Sequence, residues 1–287
     1  MRVASVTKSV TAAAVMKLVE RGQLTLDEPV SRRLPELPGA DRYTLRQVLG
    51  HRSGLPAYQT VGGFFDHATE AHTPAQLLEP VTGLPLEFSP GSKFSYSNSN
   101  FIVAGMVVER VTGEPIQAVL RREVLAPLGL GRTWLAGSEP VPEPTARGYS
   151  TRVDERARLL PAPGPLIDAT DSLHQTNAWT TGALVSTVDQ IALFFAALSA
   201  AQVVNADSLK AMQTSPDPPA VPSYGLGLWR YGGPTKFAWG HSGDTFGFLT
   251  FAATVGDTTV AVTCNDDRFG EVPRRIAEAI GETVTSR

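Results

Sequence analysis

Two side chains near the start of the sequence have the chemistry of an activated nucleophile. Ser5 carries a hydroxyl and Lys8 an amine, in the stretch Ser5-Val6-Thr7-Lys8. Residues at positions i and i+3 share one face of a helix, so a helix that begins here places the amine beside the hydroxyl. The amine can then hold the serine proton, and the N-terminal turn stabilises negative charge on oxygen. The spacing therefore indicates a serine that can be acylated.

The same two residues also have an ordinary structural interpretation. Serine is a common cap at a helix N-terminus, and a lysine in a first helical turn is usually a solvated charge. An S-x-x-K pattern is also expected by chance in a chain of 287 residues. The rest of the chain must therefore decide between capping and catalysis.

The residues after Lys8 predict the helix that this chemistry needs. Apolar side chains recur at helical spacing, and Gly22 is a typical C-terminal stop. The apolar positions are Val6, Val10, Ala13, Ala14, Leu18 and Val19. Ser5 then lies in the first turn of this helix.

Composition excludes several classes of function. Hydrophobic residues make up 42% of the chain and charged residues 18%, which is a globular balance. The net charge is -3 with no long run of one sign, which argues against nucleic acid or an anionic membrane as the main partner. Cys264 is the single cysteine, so no internal disulfide forms and we expect it to pack in the core. No apolar stretch is long enough to span a membrane, and no signal peptide is recognisable.

The order of predicted elements indicates an α+β domain. Helices are predicted after the capping residues Thr44 and Thr73, over 100–111 with Gly113 as the stop, and over 115–124. Two more are predicted, over 188–198 behind Ser186-Thr187 and up to Met212 behind Ser208. Residues 131–175 are rich in loops and have little strand. The last quarter, from Tyr224 to Cys264, predicts an antiparallel meander, followed by a helix over 272–284.

We therefore expect one domain over residues 1–287, an α/β/α sandwich with an antiparallel sheet and an all-helical insertion. The sheet subdomain takes about 1–21 and 187–287, and the helical subdomain about 22–186. No internal repeat or low-complexity tract interrupts this organisation.

Two further motifs follow Ser5-Val6-Thr7-Lys8 in a characteristic order. Tyr96-Ser97-Asn98 precedes a predicted helix, and His241-Ser242-Gly243 ends a predicted strand. With these three motifs the chain resembles the serine beta-lactamase and penicillin-binding DD-peptidase superfamily over essentially its whole length. The likeness extends to His51-Arg52-Ser53-Gly54-Leu55 and Tyr224-Gly225-Leu226-Gly227. Within this superfamily the chain looks most similar to the Streptomyces-type D-alanyl-D-alanine carboxypeptidase and to hydrolases like the class C beta-lactamases.

The resemblance implies three catalytic residues. Ser5 would be the acylated nucleophile, Lys8 would supply a cationic field, and Tyr96 would move a proton between the serine and the leaving group. A nearby ammonium favours the phenolate form of a tyrosine, which suits this role. No cofactor and no metal are implied.

The resemblance also implies a set of substrate-binding residues. Asn98 would bind the amide of a peptide-like substrate. His241 and Ser242 would bind a substrate carboxylate, or His241 would donate to Tyr96. Gly243 would keep the strand surface clear, and the backbone N–H groups of Ser5 and Asp244 would form the oxyanion hole. Trp179 is included as a pocket wall, although core packing is its other interpretation. Phe64 has the same two interpretations. Arg230 is a candidate clamp for a substrate carboxylate, or else an ordinary solvated residue at the end of a strand.

The leading functional expectation is acyl-enzyme hydrolysis of D-Ala-D-Ala peptides, by an enzyme that binds penicillins. Two alternatives stay open: a small-ester esterase or weak class C-like beta-lactamase, and a catalytically inactive module that binds peptidoglycan fragments. The partner is then a small peptide, a beta-lactam or an ester, with no nucleic acid and no membrane span, and the oligomeric state is left open. Family resemblance suggests an extracytoplasmic location, although the chain shows no signal peptide.

One departure from the family concerns the start of the chain. Members carry a two-strand hairpin before the S-x-x-K helix, and this hairpin pairs with the last strand of the sheet. Here Met1 stands only four positions before Ser5. We expect the strand over 258–264 to be left as an open edge, which is a pairing liability. Either the sequence is a fragment or misplaced start of a longer chain, or something else covers that edge, and we hypothesise the former.

Overall fold

A five-stranded antiparallel sheet organises the C-terminal part of the protein. A computed structural model describes residues 1–37, 39–143, 145–151, 165–217, 223–232, 237–270, 273–276 and 279. The members of the sheet are β5 (Ser223–Tyr224), β6 (Trp229–Gly232), β7 (Phe237–Thr245), β8 (Phe248–Val255) and β9 (Thr258–Cys264). They lie in the order β5-β6-β7-β8-β9, so each strand pairs with its neighbour in sequence. The meander predicted from Gly-containing turns is confirmed.

The longest strands of this sheet fix the position of the third motif. β7 and β8 pair from Trp239 opposite Thr254 to Thr245 opposite Phe248. His241-Ser242-Gly243 therefore lies within β7, and the strand continues beyond the point predicted from the sequence. Among the described residues β9 is the outer strand on its side, as expected.

Helix α1 (Thr7–Glu20) follows a short 3₁₀ turn, Ala4–Val6, and is buried along almost its whole length. It packs against α4 (Ser99–Thr112) and α6 (Trp179–Gly182), two helices of the middle of the chain. The hairpin between β5 and β6 reaches its other side. Gly227 has φ 73°, and a Cβ there would lie 2.4 Å from the Cβ of Ala12. A glycine is needed at this close approach.

The remaining helices confirm most of the boundaries predicted from capping residues. Thr44 and Thr73 form capping boxes, and Gly113 ends α4 in the left-handed conformation. These helices are α2 (Leu45–Leu49), α3 (Pro74–Leu78), α5 (Ile116–Leu120), α7 (Val188–Ser199) and α8 (Ala206–Met212). The short strands between them are β1 (Trp134–Leu135), β2 (Tyr149–Ser150), β3 (Ile167–Asp168) and β4 (Leu184–Val185).

Three local predictions need correction. Ser208 does not cap α8; Asn205 does, because its side chain accepts the Ser208 N–H at 2.8 Å. Thr187 stands at the cap position of α7 without a side-chain capping bond, and the Ser186 hydroxyl contacts Thr133 instead. The helix predicted over 115–124 changes at Arg121 into a turn of π-helix that ends at Leu125. The predicted C-terminal helix over 272–284 lies largely outside the described residues.

Candidate active site

The turn that carries Ser5 is held by its neighbours before α1 begins. The Val3 N–H donates to the Leu184 carbonyl at 3.0 Å, and the Thr7 hydroxyl donates to the Ala4 carbonyl at 2.7 Å. Ala4 has φ 47°, a left-handed conformation that is costly for a residue with a Cβ. The strain is confined to the residue before Ser5. It lets the chain turn sharply and present the serine at the start of the helix.

Lys8 lies one turn below Ser5 and is completely buried. Its Nζ donates to Ser5 Oγ at 2.9 Å and to the Thr181 carbonyl at 2.7 Å. Thr181 comes close because α6 packs directly on Gly105, where a Cβ would meet the Thr180 side chain at 2.6 Å. The ammonium is also 5.0 Å from the centre of the Tyr96 ring. The i, i+3 contact predicted from the sequence is thus present, and it sits inside the protein.

Tyr96 lies in the loop that leads into α4, with its ring between other aromatic groups. Its ring centre is 4.1 Å from that of His51 and 6.3 Å from that of Trp229, to which it is parallel within 10°. Aromatic packing of this kind restricts the ring to one orientation. The phenol is therefore held near Ser5 and Lys8 before any substrate arrives.

His241 occupies the third motif as a buried, neutral imidazole. Its Nδ1 is 2.6 Å from its neighbour's carbonyl, Ser242 O, so Nδ1 carries the proton. Its Nε2 then accepts from the Tyr224 hydroxyl at 3.0 Å. Burial is the main cause that lowers the pKa of His241 to about 3, and the positive charge of Lys8 adds to it. Burial also raises the pKa of Tyr224, which keeps this hydroxyl a donor.

Gly243 allows strand β7 to contact the turn that carries Ser5. A Cβ at Gly243 would lie 2.1 Å from the Val3 carbonyl oxygen and 3.1 Å from the Ser5 backbone nitrogen. The sequence motif suggested that this glycine leaves room for the substrate backbone. The geometry shows that it leaves room for the protein's own chain.

The motif residues meet at one cavity of about 390 Å³. Ser5, Tyr96 and Asn98 line it together with His241, Ser242 and Asp244. Aromatic side chains form much of its wall, namely Tyr58, Phe64, Phe65 and Trp229. The Asn98 Oδ1 atom is buried and has no hydrogen-bond partner within the described part of the chain.

Two residues predicted to belong to the site, Trp179 and Arg230, do not line this cavity in the described part of the chain. Trp179 is buried, is not among the described lining residues, and packs against Gly105 of α4. The Arg230 guanidinium stacks 4.0 Å from the Phe237 ring centre, and the residue lines a different groove beside α8. Phe64, in contrast, is part of the cavity wall.

Sequence reasoning overlooked several residues that the site uses. His51 was given no role, yet its ring packs on Tyr96; Tyr224 fixes the tautomer of His241; and Trp229 forms a wall. A signal existed for two of them, since His51 and Tyr224 open two of the additional stretches that resemble the family. The Thr181 carbonyl, which binds Lys8, leaves no signal in the side-chain sequence.

The fold is the beta-lactamase/transpeptidase-like fold, and the class that it defines is the hydrolases of the serine beta-lactamase and penicillin-binding-protein superfamily. A profile of the Beta-lactamase family matches residues 1–285, and the chain belongs to that family. No helix in the described ranges has both the length and the apolar character needed to cross a membrane.

Among solved structures, a D-stereospecific amidohydrolase from Streptomyces sp. is similar with a TM-score of 0.82 and 30% identity, over 93% of this chain and 82% of that one. The D-amino acid amidase of Ochrobactrum anthropi SV3 in complex with D-phenylalanine gives a TM-score of 0.85 and 27% identity, over 100% and 84% of the two chains.

Among curated proteins, Esterase EstB of Burkholderia gladioli is 36% identical over 154 residues, which are 48% of this chain and 39% of that protein. A putative D-alanyl-D-alanine carboxypeptidase of Escherichia coli K12 is 27% identical over 283 residues, 86% of this chain and 61% of that protein. The chain therefore spans less than two thirds of the length of these curated relatives.

Proposed function

We propose that the protein is a serine hydrolase that forms an acyl-enzyme at Ser5 and acts on esters or amides whose leaving group carries no carboxylate. The observation that carries the proposal is the 2.9 Å contact from Lys8 Nζ to Ser5 Oγ, at the wall of a cavity lined also by Tyr96. In the ordinary interpretation Lys8 would be a solvated charge, whereas here it is completely buried against Ser5.

The reaction follows from where these groups lie. Ser5 Oγ attacks the substrate carbonyl, and its proton moves to the phenolate oxygen of Tyr96, which then returns it to the leaving group as the bond breaks. The ammonium of Lys8 stabilises the phenolate before it takes the proton. Water then attacks the acyl-enzyme, with the same groups exchanging the proton in reverse. The backbone N–H groups of Ser5 and Asp244 stabilise the oxyanion, a contribution of about 3 kcal/mol for each donor.

Two observations favour a substrate without a carboxylate next to the scissile bond. His241 was predicted to bind such a carboxylate, but it is neutral and both of its ring nitrogens already have partners in Tyr224 and Ser242. Arg230, the predicted carboxylate clamp, lines a different groove, so of the three predicted carboxylate ligands Ser242 alone offers a hydroxyl to the cavity and none offers a positive charge. Similarity to Esterase EstB supports esters as substrates. The aromatic wall suits an apolar acyl group.

The D-Ala-D-Ala carboxypeptidase expected from the sequence is the second candidate. One observation favours it: Asn98 lines the cavity, and its side-chain amide has the donor and acceptor that a peptide-like substrate requires. Similarity to the putative carboxypeptidase over 86% of the chain points the same way. Weak beta-lactamase activity and an inactive binding module remain as outcomes of the test.

The test combines a fluorescent penicillin, detected by intact mass, with nitrophenyl esters and a D-Ala-D-Ala peptide. Ser5→Ala should lose both labelling and hydrolysis. Ser9→Ala is the matched control, because Ser9 is buried in the same helix but its hydroxyl donates to the Gly227 carbonyl at 2.7 Å, outside the cavity lining. Ester hydrolysis well above peptide hydrolysis is the expected result. The reverse order would favour the carboxypeptidase, and no activity in a folded chain would favour the binding module.

A further inference from the structure

His51 is a buried residue that the proposed chemistry does not use, and its backbone is strained. It has φ 54° and its side chain is completely buried. A left-handed histidine persists only where the surroundings hold it. The contacts of both its backbone and its ring run to the segment Ser95–Ser97, which carries Tyr96.

The histidine holds this segment at two points on either side of Tyr96. Its backbone carbonyl accepts the Ser95 N–H at 3.0 Å, and its Nδ1 accepts the Ser97 N–H at 3.2 Å. The ring itself lies against Tyr96 with 4.1 Å between ring centres and a tilt of 31°. One residue, through its backbone carbonyl and its ring, therefore fixes both the position of the loop and the plane of the phenol.

The hydrogen bonds also define the tautomer of His51. Nδ1 faces two N–H donors, Ser97 N and the Asn100 side-chain amide at 3.3 Å, so it must be the nitrogen without a proton. Asn100 is held in turn, because its Oδ1 contacts the Ser53 hydroxyl at 2.6 Å. Burial, and after it the positive charge of Lys8, lowers the pKa of His51 and keeps the ring an acceptor.

We propose that His51 is a positioning residue that holds Tyr96 in place for proton transfer through the acceptor at Nδ1. The proposal rests on the proposed role of Tyr96 in the acyl-enzyme reaction. It assigns no contact between His51 and substrate, since His51 is not among the described lining residues of the cavity.

Two variants of His51 distinguish the effect of its hydrogen-bond acceptor from the effect of its aromatic ring. His51→Asn keeps an acceptor where Nδ1 stands, and asparagine tolerates the left-handed conformation. His51→Phe keeps an aromatic ring against Tyr96 but has no acceptor. With nitrophenyl ester, we expect kcat to fall about 100-fold in His51→Phe at nearly unchanged KM, because small displacements of a catalytic group have effects of this size. We expect His51→Asn to recover most of the loss.

Val108→Ala is the control for stability, because Val108 is a buried residue of α4 away from the cavity lining. It should lower the melting temperature and leave kcat unchanged. Normal kcat in His51→Phe, or equal losses in both His51 variants, would overturn the proposal. Activity that survives Ser5→Ala would instead overturn the proposed function.

The wild-type protein provides a test that needs no variant to fold. In ¹⁵N-labelled protein, the two ring nitrogens of His51 should show the pattern of the Nε2–H tautomer at neutral pH. A proton on Nδ1 would contradict the proposal, because Nδ1 could not then accept the Ser97 N–H.

Discussion

Gly243 and Ser5 lie in direct contact, strand against turn. A Cβ built on Gly243 would be 3.1 Å from the Ser5 backbone nitrogen, and 2.1 Å from the Val3 carbonyl oxygen in the same turn. Two further contacts hold the same region. The Leu184 N–H donates to the Thr7 hydroxyl at 3.1 Å, and Lys8 Nζ donates to Ser5 Oγ from below. The position of Ser5 therefore depends on a residue 238 positions away (243 − 5).

Gly243→Ala should displace this turn. Because the new methyl group would meet backbone atoms that cannot rotate away, we expect kcat/KM for ester hydrolysis to fall about 100-fold and the free energy of unfolding to fall by about 1–3 kcal/mol. Gly131→Ala is the matched control, since nothing lies within 4 Å of a Cβ there. A fully active Gly243→Ala variant would show that the turn adapts without cost.

Lys8→Met should lower the rate of ester hydrolysis and raise the pKa of His241. We expect ester hydrolysis to fall about 100-fold or more, because the variant loses the cation beside Ser5 and Tyr96. It should also raise the pKa of His241 above its value of about 3, since the Lys8 charge is one of the causes that lower it. The pKa should remain below the ordinary 6.5, because burial is the larger cause.

An NMR titration of the His241 ring protons, in the wild-type protein and in Lys8→Met, measures this change in pKa. Lys17→Met is the control, because Lys17 pairs with Glu20 on the surface at 3.0 Å. It should change neither the titration nor the activity. An unaltered His241 titration in Lys8→Met would mean that the ammonium does not act on this ring.

The stability of the protein should decline as the pH falls from about 7 to 5. His241 is neutral when folded and has a pKa of about 3, so the unfolded chain binds the extra proton below pH 6.5. Unfolding is then favoured as the pH falls, and His241 alone should contribute a loss of about 2 kcal/mol over this range. The lowered pKa of His51 acts in the same direction. The groups around His241 are Lys8, Tyr224 and the Ser242 carbonyl.

Urea unfolding at pH 7 and pH 5 measures this loss. His241→Phe should reduce the difference between the two free energies of unfolding. His67→Gln should not reduce it, because His67 is exposed and the Glu70 carboxylate raises its pKa, which gives the opposite sign. An undiminished loss in His241→Phe would assign the pH dependence to other groups.

The sequence predicted much of the site because its strongest signals are local. The i, i+3 spacing of Ser5 and Lys8 is fixed by the helix, and Thr44, Thr73 and Gly113 mark helix ends by their own chemistry. The Thr181 carbonyl could not be found in this way, since it comes from 173 positions away and contributes only backbone. The tautomer of His241 likewise depends on Tyr224, which only the hairpin β5-β6 and strand β7 bring near.

The substrate preference gives the sharpest test of how His241 acts. If His241 bound a substrate carboxylate, His241→Ala would weaken hydrolysis of a carboxylate-bearing substrate more than that of a neutral ester. Because the imidazole is neutral and both nitrogens have protein partners, we expect equal losses in kcat/KM for the two substrates. The variant should also be less stable by about 1–3 kcal/mol, because the buried Tyr224 hydroxyl is left without its acceptor.

A matched pair of esters, with and without a carboxylate next to the scissile bond, measures this directly. The double variant Tyr224→Phe/His241→Ala removes the unpaired hydroxyl and should be more stable than His241→Ala alone, while treating both esters alike. A selective loss on the carboxylate ester would return His241 to the role that its motif suggests. It would then favour the carboxypeptidase over the esterase.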